Sequence, residues 1–243
     1  MRALVVADIH ANLAALRAVL DDATSRGGFD IIWCLGDIVG YGPDPGGCLE
    51  LLRRYDLLSV AGNHDYAAAG KMDTAEFNDV AAIAAKWTVH QLSPEDKEFL
   101  GELPLVATSS PFTLVHGSLR APLWEYLLDR ESASSTFGLL PTRFCLVGHS
   151  HIPFVCQENQ GEPRFAEFPQ DHRFAMGDER CIFNPGGVGQ PRDHDPRPSY
   201  CVYDSQRMTV ERRRVAYDIP ATQERMRQAR LPWQLIDRLQ YGV

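Results

Sequence analysis

Apolar and polar positions alternate between two periods along the chain. Leu4-Val5-Val6-Ala7 is an unbroken apolar run ending at Asp8-Ile9-His10, where extended backbone would put the carboxylate and the imidazole on one face. Asn12 then suits a helix N-cap, and Leu13, Leu16, Leu20 and Ala23 recur at helical spacing until Gly27-Gly28 stops the run. With the apolar run Ile31 to Leu35 behind it, this opening reads as β-α-β. Pro43-Asp44-Pro45 and Gly46-Gly47 read as a rigid turn. A short helix is expected near Cys48 to Tyr55, and a third strand over Leu57 to Ala61. Such a start belongs to a doubly wound α/β domain.

From Tyr66 to Leu103 the pattern is helical. Asp73-x-x-Glu76 has the form of a capping box, Phe77, Val80, Ala84 and Trp87 share a face, and Ser93-Pro94 opens another helix. Phe77 and Trp87 are expected in the core. Strands are expected at Phe112 to His116 and Phe144 to Val147, separated by a helical stretch around Pro122 to Leu140. Beyond His151 come short strands with Gly, Pro and Asn turns: Phe154 to Gln157, Arg164 to Phe168, Cys181 to Asn184, Tyr200 to Tyr203 and Met208 to Val215. These fit a second, mostly antiparallel sheet. From Ala221 two helical pieces divided by Leu231-Pro232, with Trp233, Ile236 and Leu239 on one face, read as a hairpin docked on the domain or on a partner subunit. The expected organisation is one domain over residues 1–220 and a helical appendage over 221–243.

Composition narrows the classes. At 243 residues, 44% hydrophobic, the chain can bury one large core. A formal charge of −8 disfavours general nucleic-acid binding and points to small substrates, while leaving room for a local cationic pocket. On that ground Arg212-Arg213-Arg214 reads as a solvated strand face. Six cysteines without a Cys-x-x-Cys pair suggest a reduced, cytoplasmic protein, and no stretch approaches the ~20 apolar residues of a membrane span.

The chemistry lies in how the apolar runs end. Besides Asp8-Ile9-His10 there are Leu35-Gly36-Asp37, Val60-Ala61-Gly62-Asn63-His64-Asp65, Thr113-Leu114-Val115-His116-Gly117 and Leu146-Val147-Gly148-His149-Ser150-His151. Singly, an Asp or Asn after a strand is turn chemistry and a His is a surface or core residue. Together, ligand-type residues delivered to one sheet edge are how an α/β scaffold builds a site. The order Asp-x-His, Gly-Asp, Gly-Asn-His-Asp, His-Gly, Gly-His-x-His resembles the calcineurin-like metallophosphoesterase superfamily over residues 8 to 151, with no ligand position missing. Gly36 to Pro45 and Asn184 to Asp193 are also similar to a bacterial subgroup of small, single-domain members.

The resemblance implies a four-layer αββα sandwich of two mixed β-sheets flanked by helices. It further implies that Asp8, His10, Asp37 and His151 hold one divalent metal ion and that Asp37, Asn63, His116 and His149 hold a second. Asp37 would bridge, since the two oxygens of a carboxylate can point to separate cations. Imidazole, carboxylate and amide donors without thiolate suit Mn, Fe, Zn or Ni. The implied reaction is metal-assisted hydrolysis of a phosphate ester, as a phosphodiesterase or phosphatase acting on a small molecule or nucleotide. His64 matches the family's non-ligand histidine, which donates to the phosphate or the leaving oxygen; Tyr41 and Asp65 are the next catalytic candidates should His64 prove a ligand.

The chain departs from the family at Gly40-Tyr41-Gly42. There the phosphoprotein phosphatases carry an Asp that orients the histidine, and both they and the dinucleoside-tetraphosphate hydrolases carry an Arg that grips phosphate. Tyr41 could reach the site mouth and Arg192 could supply a phosphate donor; the alternatives are a turn-packing Tyr and a surface Arg. Gly186, Gly187 and Gly189 follow Asn-Pro with no helix after them, and are expected to allow close backbone approach beneath the site. His90, His172 and His194 match no ligand position. Competing readings are a dinucleoside polyphosphate hydrolase and a non-catalytic scaffold; retention of every ligand and of His64 argues against the scaffold.

Overall fold

The computed structural model describes residues 1–243. Strand β1 (Arg2–Val6), helix α1 (Leu13–Ser25) and strand β2 (Ile31–Cys34) open the chain, followed by α2 (Pro45–Leu52), β3 (Leu57–Ser59), α3 (Asn63–Ala68), α4 (Asp79–Gln91) and α5 (Pro94–Glu102). Next come β4 (Val106–Ser109), β5 (Phe112–Val115), α6 (Arg130–Leu139), β6 (Phe144–Leu146), β7 (Phe154–Asn159), β8 (Glu162–Glu167), β9 (Arg173–Ala175) and β10 (Cys181–Asn184). The chain closes with β11 (Ser199–Asp204), β12 (Thr209–Arg214), α7 (Ile219–Gln228), α8 (Trp233–Asp237) and a 3₁₀ turn at Arg238–Gln240.

Two six-stranded mixed sheets result, ordered β3-β2-β1-β11-β12-β9 and β4-β5-β6-β10-β7-β8. The alternation of β1 shows how they stack. Leu4 and Val6 face the layer of α1 and α2, packing with Leu16, Val19 and Leu49. Ala3 and Val5 face the other sheet, packing with Leu114, Phe144 and Phe183. Between the sheets Trp33, Phe112 and Tyr203 form an aromatic triangle with centroids 4.8 to 5.7 Å apart. On the far side of the second sheet α6 buries Ala133 and Phe137 against Val147, Cys156 and Ile182. This is the expected αββα sandwich.

Several local expectations are corrected. Pro45, Gly46 and Gly47 are not turn but the first residues of α2, because proline at N1 needs no N–H partner. The cap of α4 is Asn78, whose side chain accepts from Ala81 N, while Asp73 only closes a turn on Ala75 N. Residues 122 to 129 are not helical; α6 waits for the Asp129 cap. The late strands do not make a sheet of their own. β7, β8 and β10 complete the second sheet, whereas β11 and β12 join β1 of the first. β4 and β9, short and mostly exposed edge strands, have no apolar pattern to reveal them. In the tail the covered face is Leu235, Ile236 and Leu239, packed with Met226 on Tyr41, Ala81 and Ala84, and Trp233 is 69% exposed.

The largest correction concerns Arg212, Arg213 and Arg214, which are buried. Arg212 donates to Ser199 Oγ (3.1 Å) and Arg213 pairs with Glu211 (3.0 Å). Arg214 pairs with Asp193 and Asp195 and donates to Asp195 O and Arg197 O. Overall charge says nothing about such local pairing. Because Arg214 pins the loop that carries Arg192, Arg214→Ala should cost about 2 to 3 kcal/mol, less than a fully buried pair since the aspartates are partly solvated. Urea denaturation measures this, and a loss below ~0.5 kcal/mol would place Arg214 among ordinary surface pairs.

Candidate functional site

The candidate ligands gather where the C-terminal ends of β1, β2, β3, β5 and β6 meet. Their turns are unusual: Asp8, His10, Asp37, His149 and His151 all have φ between 46 and 64°. Left-handed backbone costs a non-glycine residue roughly 1 to 2 kcal/mol, and such strain persists only where the surroundings over-determine it. Here they do. Asp8 N donates to Gly36 O (3.1 Å) and His10 N to Asp37 O (2.9 Å), while Gly148 N donates to His116 O (2.8 Å). Val188 N and Gly189 N donate to Ala7 O and Asp8 O (both 2.9 Å), so the 186–189 glycine run does lie beneath the site as expected. Asn184 donates to Gly148 O (2.8 Å) and Ser150 Oγ (3.0 Å), holding the turn of His149 and His151.

Three sets of ligand-type atoms result, each within 4.8 Å: Asp8, His10 and His151; Asp37, His116 and His149; and His10, Asp37 and His64. Asn63 Oδ1 joins the second at 3.3 Å from His116 Nε2. Asp37 stands between the first two. Its Oδ2 lies 3.6 Å from His10 Nε2 and 3.4 Å from His116 Nε2, and its Oδ1 accepts from His64 N (2.9 Å). Asp8 Oδ1 accepts from His149 N (3.1 Å), and Oδ2 is buried with no partner.

The tautomers follow from the carbonyls. His10 Nδ1 lies 3.2 Å from Val39 O, His116 Nδ1 2.7 Å from Leu35 O and His149 Nε2 3.3 Å from Trp124 O, while His151 Nδ1 meets Gln190 O. A carbonyl only accepts, so those nitrogens carry hydrogen and the inward ones hold lone pairs in the neutral rings. The inward nitrogens face one another, His10 Nε2 to His151 Nε2 at 3.2 Å and His116 Nε2 to His149 Nδ1 at 3.0 Å. For the second pair a proton relieves the repulsion: although burial alone would lower it, Asp37 holds His116 raised to about 9. For the first nothing does. Burial keeps both His10 and His151 well below the usual imidazole range, so both are neutral. Converging lone pairs, an orphaned carboxylate oxygen and an N/O donor set fit divalent cations.

His64 shares the third set with His10 and Asp37, but its ring meets no carbonyl. Its ring packs on Tyr41 (centroids 4.3 Å), His10 (5.0 Å) and Phe77 (4.7 Å). Nδ1 is buried without a partner, and a Cβ on Gly40 would sit 2.5 Å from it. A side chain at residue 40 would therefore require the His64 ring to move. Burial lowers His64 to about 4, leaving the ring neutral at pH 7. Asp65 does not reach the open face. Its oxygens accept from Val39 N (3.1 Å) and Gly62 N (3.0 Å), so it secures the turn. Arg192 is half-buried beside His151, whose carbonyl accepts from Arg192 N (3.4 Å), and its charge acts on Asp8, His64 and His149. Exposed His90, His172 and His194 lie outside the site, as expected.

Sequence reasoning missed the rim. A cavity of about 210 Å³ is lined by Tyr41, His64, Phe77, Trp124, Tyr126 and His149. Tyr126 stacks on His149 (4.2 Å, 10° between planes), and Phe77 meets Trp124 edge-on at 5.4 Å. Phe77, expected in the core, precedes α4 and is half-buried: it packs against the cluster of Tyr41, Ala81 and Met226 and also lines the mouth. Trp124 and Tyr126 lie in a loop with no periodic pattern, so only proximity in space reveals them.

Comparison with known proteins bears on this site. Residues 1–208 match the model of the calcineurin-like phosphoesterase superfamily domain. An uncharacterized protein of Methanocaldococcus jannaschii is 41% identical over 244 residues, covering 98% of this chain and 97% of that one. The crystal structure of a metallophosphoesterase from Sphaerobacter thermophilus superposes with a TM-score of 0.91 at 43% identity, covering 100% of this chain and 99% of the other. A symmetrical bis(5'-nucleosyl)-tetraphosphatase of Vibrio campbellii is 26% identical over 152 residues, 59% of this chain and 54% of that protein.

A cation entering between His116 and His149 must displace the His116 proton, present at pH 7 because that group is raised to about 9, and one entering between Asp8, His10 and His151 must displace part of a proton on Asp8, which burial raises to about 7. Metal affinity of the stripped chain should therefore climb from pH 6 to 9, by up to about tenfold per unit, and level off above. Competition titration against a chelating dye reads this; a flat profile would mean that no such proton is displaced.

Proposed function

The chain belongs to the calcineurin-like phosphoesterase superfamily and is a hydrolase of phosphate esters, and we propose that it works with two divalent metal ions on a small-molecule or nucleotide substrate. The observation that carries this reading is the neutral His10–His151 pair, lone pair to lone pair at 3.2 Å. Asp8, His10, Asp37 and His151 would hold one ion, and Asp37, Asn63, His116 and His149 the other, with Mn, Fe, Zn or Ni suited to these donors. Bound there, the ions would activate water and neutralise charge on the phosphoryl oxygens.

The chain's own groups complete the task. His64, neutral and pressed between Tyr41 and Phe77, is placed to donate an N–H to the phosphoryl or leaving oxygen. Arg192, whose side chain bonds Gln190 Oε1, offers a cation, and Tyr41 closes the site beside His10. The aromatic residues Phe77, Trp124 and Tyr126 line the same cavity as His64 and His149, which favours an ester carrying a planar group such as a nucleobase. The same residues, with the likeness to a dinucleoside-tetraphosphate hydrolase over part of the chain, favour a second reading as a dinucleoside polyphosphate hydrolase. Six buried free cysteines suit a reducing, cytoplasmic setting.

Removing the bridge should unseat both ions. Asp37→Ala is expected to abolish hydrolysis of aryl phosphate esters and to lower metal content towards zero, whereas Asn63→Ala retains about one ion per chain, as read by elemental analysis. Full activity in metal-stripped protein would sink the two-metal reading.

His64→Asn should keep its metal content and lose ~10² to 10³ in kcat on an alkyl or ribose ester. The loss should be smaller on a p-nitrophenyl ester, whose phenolate departs unaided. Equal losses on both would shift His64 from the leaving oxygen to the phosphoryl oxygens, and a lost ion would make it a ligand.

A further inference from the structure

The helix layer over the first sheet stops short of one end of it. Leu4, Val6 and Val202 pack with Leu16 and Val19 of α1, but α1 ends at Ser25 and the same sheet face continues past it. Directly paired residues share a face of a sheet. Arg2 stands opposite Asp204 and Asp204 opposite Thr209, while Val202 stands opposite Glu211 and Glu211 opposite Arg173. With Arg213, two residues beyond Glu211, and with Arg26 and Gly27 just past α1, these side chains line a cavity of about 270 Å³. β1 spans about 13 Å from Arg2 to Val6. The metal-ligand candidates begin only beyond Val6, so this cavity and the candidate active site lie at opposite ends of the strand.

The lining is cationic although the chain carries a net charge of −8: the five arginines Arg2, Arg26, Arg173, Arg207 and Arg213 meet two carboxylates, Asp204 and Glu211. Glu211 is shared three ways, with Arg173 at 2.8 Å, Arg213 at 3.0 Å and Arg26 at 3.5 Å. Asp204 pairs with Arg207 at 3.4 Å. From outside the lining, Asp171 and Asp22 reach Arg26 alone, at 2.8 and 3.7 Å. Arg2 donates to the Gly27 carbonyl. Two donors are left over. Arg213 is 4% exposed, yet its Nη1 is buried with no partner, and so is Arg2 Nε. An arginine that only ties strands together spends its N–H groups on nearby acceptors, as Arg214 does on Asp193, Asp195 O and Arg197 O. A buried N–H without an acceptor is unfavourable, and this one belongs to a side chain lining a cavity with room for a ligand.

We propose that this cavity is a second anion site, separate from the metal-ligand cluster, that takes the phosphate group of a small molecule with Arg2, Arg207 and Arg213 as donors. Phosphate oxygens supply the acceptors that Arg213 Nη1 and Arg2 Nε lack, and a dianion offsets the positive charge that one shared Glu211 leaves over. Forked guanidinium groups match phosphate oxygens two at a time. The bound group would join the start of β1 to β12 and to the turn after β11, elements that otherwise meet here through Glu211 and Asp204 alone. The phosphate is either the free ion or one carried on an organic group.

The test is equilibrium dialysis of inorganic phosphate and of phenylphosphonate, whose C–P bond resists hydrolysis, into the full, metal-loaded chain at constant ionic strength. A binding event is expected that survives Asp37→Ala, is weakened about tenfold by Arg213→Gln and about threefold by Arg207→Gln, and is partly recovered in Arg213→Lys. Uptake of both anions makes the free ion sufficient, and uptake of phenylphosphonate alone assigns the site to phosphate on an organic group. Arg207 is 65% exposed as a side chain, so its replacement leaves the fold intact even where Arg213→Gln does not. A second measurement needs no variant. In the unmodified chain the bound anion should shield Arg173 and Arg207 from phenylglyoxal about threefold, while equally exposed Arg54 on α2 is labelled as before, read by peptide mass analysis. Anion uptake indifferent to both Arg213→Gln and Arg207→Gln, or undiminished labelling of Arg173 and Arg207, would each overturn the site.

Discussion

Inward imidazole nitrogens crowded around one buried carboxylate are the constraint on which the rest of this structure depends. The lone pairs of His10 and His151, 3.2 Å apart, repel, and five of the residues at this edge sit in left-handed backbone. Neither condition is met by a relaxed chain. Both hold here because the turns are tied together from several directions: β2 to β1 through Gly36 and Asp37, β6 to β5 through Gly148, and the loop after β10 to both. The two sheets meet at this end through polar groups, and over the rest of their length through Trp33, Phe112, Phe144 and Tyr203. The apolar interior supplies the stability and the polar edge spends part of it on geometry.

Much of this edge was legible in the sequence because its signal is local. An apolar run followed by a ligand-type residue states both the strand and what its end presents, and repetition in one order removes the ambiguity of each case. Asn12, Ser93 and the glycine stop after α1 behaved as their local chemistry requires. Illegible features were those whose meaning depends on a partner far along the chain. β11 and β12 read as strands, yet which sheet they join is decided by pairing with β1, about 200 residues away. Arg212 to Arg214 look solvated until Ser199, Glu211, Asp193 and Asp195 are seen around them. Asp65 looked catalytic from its neighbours in sequence, but two backbone N–H groups claim its oxygens.

The mouth was the least legible part. Phe77, Trp124 and Tyr126 come from two separate segments, and they become neighbours only after the sandwich is assembled. Gly40 shows the converse. Its departure from the phosphatase pattern was visible at once, but its physical reason is that the His64 ring occupies the space a side chain there would need. Ligands are thus written at strand ends, while selectivity is written in loops whose contacts are set by the fold.

The left-handed turns have an evolutionary consequence. At Asp8, His10, Asp37, His149 and His151 glycine or asparagine would relax the backbone, and an uncharged residue would end the crowding of donors. Drift at these positions therefore runs downhill in free energy, towards a sturdier and inert sandwich. Holding all five together costs free energy that folding alone does not return.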